Sequence, residues 1–216
     1  MILVPQIMHQ IVGPKTNAVI DRCLSSWLLL RDKGFLIKIW NDDLLADFIS
    51  KEYPFALEAF LHARNHAEAA DIARYLLVYH TGGYYMDWDV QLLNKTKFIK
   101  LTKITPRGFL IRDPLNDTLA SEAFSASKKE SYLLNLVHDI VMLYENKERN
   151  SINTPQYSGP FRMRDSLRRH PTGQAILSVK VIFAYDYTEI REMPPRVISQ
   201  PLIHYWLHTW INTSST

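Results

Sequence analysis

Between His66 and Asp89 the chain carries a helix-spaced apolar stripe, a double glycine, a short apolar strand and two carboxylates in immediate succession. Ala69, Ile72, Ala73, Leu76 and His80 recur at spacings of three and four, which predicts a helix over 66–80 with one face turned to a core. Gly82-Gly83 stops that helix, and Tyr84 to Met86 reads as a strand with Asp87-Trp88-Asp89 at its end. A helix feeding directly into a buried strand is a unit of α/β architecture. In open α/β sheets, ligands collect beyond the carboxyl ends of the strands.

The segments before this one keep the same rhythm. Ile7 to Val12 reads as a short buried strand broken by Gly13-Pro14, and Val19, Ile20, Cys23, Leu24, Trp27 and Leu30 place a helix over about 16–32, stopped at Lys33-Gly34. Phe35 to Trp40 is a second strand, Asn41-Asp42 caps a helix to about Ser50, and a further helical stretch follows Pro54 to about Arg64. This opening predicts an α/β fold with a Rossmann-like, mostly parallel central sheet flanked by helices. The second half is less regular. Strands are expected at Phe109 to Arg112, Val179 to Ala184, Arg196 to Ile198 and Leu202 to Tyr205, helices at Tyr132 to Tyr144 and Met163 to Arg169, and fraying from Asn212 to Thr216. No repeat or linker-like stretch divides the chain, so a single domain over 1–216 is expected.

Composition narrows the class. A chain of 216 residues, 47% hydrophobic and 22% charged, buries enough surface to need neither disulfides nor a structural metal. The single Cys23 excludes a disulfide framework and a zinc ribbon, and its place in an apolar stripe marks it as inert core. The net charge of +3 is small, and the excess sits in the C-terminal half, densest at Arg162, Arg164, Arg168 and Arg169. That run reads either as an anion-binding patch or as the solvated face of a helix. No nucleic-acid signature accompanies it, and no nucleic acid is expected as a partner. No apolar run reaches the roughly 18 residues of a bilayer span, and Met1 to Val12 lacks the features of a signal peptide, so the sequons at Asn94, Asn116 and Asn212 carry no weight. The expectation is a soluble or cytoplasmic chain with no transmembrane segment, compatible with peripheral membrane association.

Asp87 and Asp89 are two positions apart. In extended geometry their side chains leave one face and reach a single hard cation, with Trp88 pointing the other way. Carboxylates suit Mn²⁺ or Mg²⁺, and the chain lacks the thiolates that select zinc. Taken alone, an Asp-x-Asp is equally a solvated turn. Asp71 and Arg74, three apart on the helix, read either as a surface ion pair or as two groups acting together on a ligand.

The run from Ala67 to Asp89 resembles the signature of family 32 glycosyltransferases, A-x-x-[SA]-D-x-x-R-Y-x-x-L-Y-x-x-G-G-x-Y-x-D-x-D, and departs from it at Val78, where Leu is usual. That family includes yeast-type initiating mannosyltransferases and bacterial capsule enzymes, and its core is shared with clostridial glucosylating toxins. Val4 to Ile11 resembles the family's opening I-P-K-I-I-H-Q-x-W, with Val12 where Trp often stands. Phe35 to Asp42 resembles its second strand. His204 to Trp210 resembles H-x-W-x-x-S-W, with Thr209 for Ser, and Ser158-Gly159-Pro160 corresponds weakly to a T-G-P segment.

The resemblance implies a GT-A fold and a glycosyltransferase that moves a hexose from a nucleoside diphosphate, UDP or GDP, to a glycan or other hydroxyl acceptor, with retention of configuration. It implies Asp89 as the direct ligand of Mn²⁺ or Mg²⁺, with Asp87 on the ribose or a metal-bound water. It also implies Arg74 on the donor phosphate or sugar, Asp71 on the sugar hydroxyls, and Thr209 with Trp210 closing over the diphosphate. Donor contacts are further expected from His9, Gln10, Ile11, Trp40, Asn41, Tyr85 and Trp88. His9, Gln10 and Tyr85 read equally as packing. His204 is either core or a third metal ligand with His208 as its substitute, and Trp206 is expected in the core. Two rival functions stand beside transfer: hydrolysis of nucleotide sugars, and a binding module that keeps the donor pocket without turnover. A polysaccharide-binding lectin has less support, because it needs no Asp-x-Asp at a strand end.

Overall fold

In the computed structural model, residues 3–207 are described. Their strands are β1 (Ile7–Ile11), β2 (Leu36–Trp40), β3 (Gly83–Met86), β4 (Val90–Leu92), β5 (Gly108–Asp113), β6 (Thr118–Leu119), β7 (Ala123–Ala126), β8 (Ala175–Ser178) and β9 (Leu202–His204). The α-helices are α1 (Ala18–Trp27), α2 (Asp42–Glu52), α3 (Leu57–Leu61), α4 (His66–Thr81), α5 (Lys95–Ile104), α6 (Ser131–Glu145), α7 (Thr154–Tyr157), α8 (Pro160–Arg169) and α9 (Val179–Ile182). Asparagine starts many of them. Asn17, Asn41, Asn65, Asn94 and Asn153 each accept backbone N–H groups of the first turn through the side chain, satisfying donors that the helix leaves unpaired.

The main sheet runs β2-β1-β3-β7-β5-β6, with β8 also paired to β5. β1 pairs in parallel with β2 and β3, and β5 with β8, whereas β7 and β6 run against their neighbours. Five of the seven strands therefore point one way, as the α/β reading of the sequence requires. Gly83 decides how closely β3 can lie beside β1. Its φ is 114°, and a Cβ there would collide with the carbonyl oxygen of Ile7.

Two apolar cores cover the sheet. One joins Ile72, Tyr75 and Leu76 of α4 to Leu133, Leu136 and Ile140 of α6, and the other joins Trp27 and Phe98 to Met8, Tyr84 and Phe109. Ten of the sixteen residues of α4 are buried, Asp71 and Arg74 among them, so the reading of these two as a surface ion pair is wrong. Cys23 is fully buried, and burial pushes its thiol up to about 12, which leaves it inert.

Three expectations need correction. Val179 to Ala184 begins as helix α9, and the strand is the segment just before it, β8. A short apolar run is ambiguous in periodicity. Here Val179 and Ile182, three apart, are the buried pair, while Val181 faces out. Residues 196–198 form no strand, and Val197 is almost fully exposed. The helix expected over 16–32 is α1 followed by a tighter 3₁₀ segment, Leu28–Lys33. No helix among the described residues is long and apolar enough to cross a membrane.

Candidate functional site

Helix α4 brings Asp71 and Arg74 into the interior, each about 5% exposed or less. Asp71 accepts a hydrogen bond from Ser158 Oγ at 2.7 Å and lies 3.4 Å from the Arg74 guanidinium. Arg74 donates to the carbonyls of Ser121 (2.8 Å) and Ala70 (3.2 Å), and its guanidinium lies 4.7 Å from the Tyr85 ring centre. A guanidinium held by two carbonyls beside two carboxylates is a fixed charge, not a mobile surface cation.

The turn between β3 and β4 carries Asp87, Trp88 and Asp89. Asp87 accepts from Tyr85 Oη at 2.6 Å and sits 3.3 Å from Arg74, while its N–H donates to the Glu122 carbonyl at 2.8 Å. Asp89 is held from the other side. β4 pairs antiparallel with β9, placing Val90 opposite His204, and the His204 Nε2 atom lies 3.2 Å from Asp89. Trp206 then takes a φ of 45°, a conformation costly for a large side chain. The turn brings two amides onto Asp89: Leu207 N–H donates to its carboxylate at 2.9 Å and Tyr205 N–H to its carbonyl at 3.2 Å.

These groups line one cavity of about 500 Å³, within the range of small-ligand sites. Asp71, Arg74, Asp87, Trp88, Asp89 and His204 all face it, and so do Asp113, Glu122, Phe161 and Trp206. Asp87, Asp89 and His204 each offer a ligand atom within 4.8 Å of the others. His204 Nδ1 is buried without a hydrogen-bond partner. The two carboxylates suit Mn²⁺ or Mg²⁺, and the imidazole favours Mn²⁺ of the two, since Mg²⁺ prefers oxygen ligands.

The titrations follow from burial and pairing. Burial pushes the carboxyls of Asp71 and Asp87 up to about 6 against the pull of Arg74, and Asp89 adds to the rise at Asp87. Burial acts on Asp89 in the same sense, but the His204 ring and the Leu207 amide outweigh it and hold Asp89 below the usual carboxylate range. Burial alone would lower His204, yet Asp89 and Glu122 together raise it to about 10. The acidic cluster thus keeps one compensating proton on the imidazole.

The structure brings together Asp71, Arg74, Asp87, Trp88, Asp89 and His204, which were expected at the site. Trp88 does not point away from the carboxylates, because residues 87–89 turn and do not extend; its ring lines the cavity between His66 and the bare backbone of Gly13. Trp206 is half-buried, lies 4.1 Å from the His204 ring and lines the cavity, so its expected core place is corrected. Tyr85 lies beneath the site and pins Asp87. His9, Gln10 and Ile11 are buried outside the lining, Trp40 packs on His9, and Asn41 caps α2. Thr209, Trp210 and His208 lie outside the described residues.

The basic run on α8 is paired internally. Arg164 and Arg168 meet Asp117 and Asp165, Arg169 meets Asp139, and Arg162 donates to the carbonyls of Gln156 and Tyr157. The anion-patch reading therefore loses its free charges. Sequence reasoning missed Glu122 and Ser121, which reach the site from the turn before β7. No local pattern marks them, since their place depends on β7 pairing against β3.

Residues 20–107 match the family described as "Glycosyltransferase sugar-binding region containing DXD motif". The chain is 24% identical over 149 residues to inositol phosphoceramide mannosyltransferase 1 of Schizosaccharomyces pombe, covering 63% of this chain and 43% of the relative. It is 33% identical over 93 residues to a mannosyl phosphorylinositol ceramide synthase of Saccharomyces cerevisiae, covering 40% of this chain and 23% of the relative. The chain thus spans less than half the length of either relative. Among solved structures it is similar to the PaToxG glycosyltransferase, with a TM-score of 0.59 at 15% identity over 78% of this chain and 70% of that one. It is also similar to a glycosyltransferase involved in glycosylation of the major capsid of PBCV-1, with a TM-score of 0.53 at 13% identity over 93% of both chains. At these identities the structural likeness establishes the fold, which is that of the GT-A glycosyltransferases.

Proposed function

We propose that this chain, whose residues 20–107 match the DXD-containing glycosyltransferase sugar-binding region, acts as a single domain that moves a hexose from a nucleoside diphosphate to an acceptor hydroxyl. The observation that carries this reading is the meeting of Asp87, Asp89 and His204 in one cavity, beside the buried Asp71 and Arg74. In the transfer the bond from the anomeric carbon to the diphosphate oxygen breaks, a bond to the acceptor oxygen forms, and the acceptor proton leaves with the diphosphate. Retention of configuration is part of the proposal and rests on the family likeness.

Among the described residues Asp71, Asp87, Asp89, Asp113 and Glu122 face the cavity, against one guanidinium and one imidazole. A diphosphate is repelled by such a lining unless positive charge accompanies it. Asp87, Asp89 and His204 would hold Mn²⁺ or Mg²⁺, which supplies that charge and stabilises the leaving diphosphate. Arg74, immobilised by two carbonyls and two carboxylates, adds a fixed cation that needs no reorganisation during reaction. Asp71 keeps acceptor capacity beyond its bond to Ser158 for sugar hydroxyls. The relatives' names support mannose as the first sugar to test.

The test is product analysis with GDP-mannose and UDP-glucose, each with and without Mn²⁺ and a hydroxyl acceptor. Asp89→Asn is expected to cut metal-dependent transfer by about 10³-fold, the scale of losing a principal charge stabiliser. Sugar release that ignores the acceptor would favour the hydrolase reading. Unchanged transfer by Asp89→Asn would exclude the assignment of that residue.

A further inference from the structure

The His204 ring lies 4.1 Å from Trp206 and 6.0 Å from Phe183, between centres. Aromatic neighbours fix the plane of an imidazole but are indifferent to a half-turn about its Cβ–Cγ bond. That half-turn exchanges each ring nitrogen with a carbon, and it decides whether Nε2 or Cε1 faces Asp89. Only a hydrogen-bonding group beside the ring distinguishes the two states. Asp89 does so on the Nε2 side, where a cation would compete for that nitrogen, and Glu122 does so on the Nδ1 side. Its Oε1 lies 3.5 Å from Nδ1, and His204 is the one ion contact of Glu122 among the described residues. Nδ1 is buried and makes no hydrogen bond in the present geometry, so a small approach of Glu122 satisfies it.

Glu122 is held ready for this. Its carbonyl accepts the Asp87 N–H at 2.8 Å, and the preceding carbonyl, of Ser121, accepts Arg74 at 2.8 Å. The backbone is thus tied to the two elements that carry the acidic motif, while the carboxylate, 14% exposed, borders the cavity.

We propose that Glu122 is a positioning residue that fixes the flip state of the His204 ring and thereby gives the Asp87–Asp89 cluster its nitrogen donor. The proposal deepens the functional reading above and rests on its cation site. A carboxylate behind a ligating histidine typically changes metal affinity by about 10–100-fold when removed.

The experiment titrates Mn²⁺ alone into the full chain, following free ion by electron paramagnetic resonance and imidazole coordination by nitrogen modulation of the spin echo. Glu122→Met keeps the volume and removes the acceptor. It is expected to weaken Mn²⁺ binding by about 10–100-fold and to lose the nitrogen signal, as His204→Ala does. Glu122→Gln, which keeps an acceptor oxygen, is expected to restore the nitrogen signal and most of the affinity. A merely structural role would not give that rescue. Should Glu122→Met bind Mn²⁺ within twofold of the parent with its nitrogen signal intact, the proposal falls while the cation site stands. Failure of the parent chain itself to bind Mn²⁺ overturns both.

Discussion

From β1 to β3 the sheet is parallel, and α4 crosses back to seat its polar groups at the strand ends; beyond β4 come the antiparallel strands β5 to β7, joined by turns, and the segments that follow them. The first region supplies Asp71, Arg74, Asp87 and Asp89, and the second supplies Ser121, Glu122, Ser158 and His204. Three of these four charged side chains are met by a group of the second: Arg74 by a carbonyl, Asp71 by a hydroxyl, Asp89 by an imidazole and an amide, while the Asp87 carboxylate is held by Tyr85 and Arg74 of its own region. The parallel region therefore carries the charges, and the antiparallel region makes them tolerable in a buried place. Substitutions in the two regions should differ accordingly.

The largest difference is expected at Arg74. Its guanidinium is 6% exposed and faces both Asp71 and Asp87. Arg74→Ala leaves the buried Asp71 carboxylate and the partly buried Asp87 carboxylate without a cation, and breaking a buried pair in this way costs about 3–5 kcal/mol. Urea unfolding should show this loss near pH 7.5. The loss should shrink toward pH 5, because both carboxyls, already pushed up to about 6 by burial, are then protonated and need no counter-charge. A loss below about 1 kcal/mol at pH 7.5, the scale of a surface pair, would mean that Arg74 is not the counter-charge of the site.

The two regions also differ in how far they can be read from sequence. Asp71, Arg74 and the motif aspartates sit on elements set by local rules: an asparagine cap, a three-and-four stripe and a glycine stop. Glu122 has no such signal, because it reaches His204 only after β7 pairs with β3 and β9 with β4. The same cause explains the misplaced strand at Val179. The ladder partner of β5 is Ala175 to Ser178, a stretch with alternating exposure, and the more apolar run beyond it coils into a helix. The burial of Asp71 and Arg74 was hidden too, since periodicity alone put them on a neighbouring face. What buries them is the approach of Ser158 and Ser121 from the distant region.

A smaller effect, confined to the parallel region, concerns His9. Its Nδ1 accepts from Trp40 Nε1 at 3.2 Å, and its Nε2 lies 3.2 Å from the Gly82 carbonyl. The neutral ring fits these partners, whereas a second proton would face the indole N–H. Burial, helped by Lys38 and only partly opposed by the Gly82 carbonyl, lowers the group to about 4 from 6.5. The unfolded chain therefore binds a proton between these values that the folded chain refuses. Stability is complete above about pH 6.5 and falls by about 3 kcal/mol as the pH drops through this window. Asp71 and Asp87 act in the opposite sense, being stabilised by protonation below about 6. The difference between the parent and His9→Gln isolates the histidine. Between pH 6.5 and 4 its urea midpoint should gain on the parent's as the pH falls, and a constant difference between the two would show that His9 takes up its proton as readily in the folded chain as in the unfolded one.

The smallest effect is expected on α8, where the charge is densest in sequence. Arg168 meets Asp117 at 3.1 Å and Asp165 at 3.3 Å, but its side chain is 61% exposed and Asp117 is 57% exposed. Water screens both partners, and such pairs contribute about 0.2–1 kcal/mol at most. Arg168→Ala should change the urea midpoint by no more than that and leave donor turnover unaltered. The contrast with Arg74 is the informative quantity. Both arginines lie three residues from an aspartate on a helix, and only the one enclosed by the antiparallel region should matter. A loss of donor binding in Arg168→Ala would return α8 to the site as an anion-binding face and would mean that enclosure does not separate the working charges from the solvated ones.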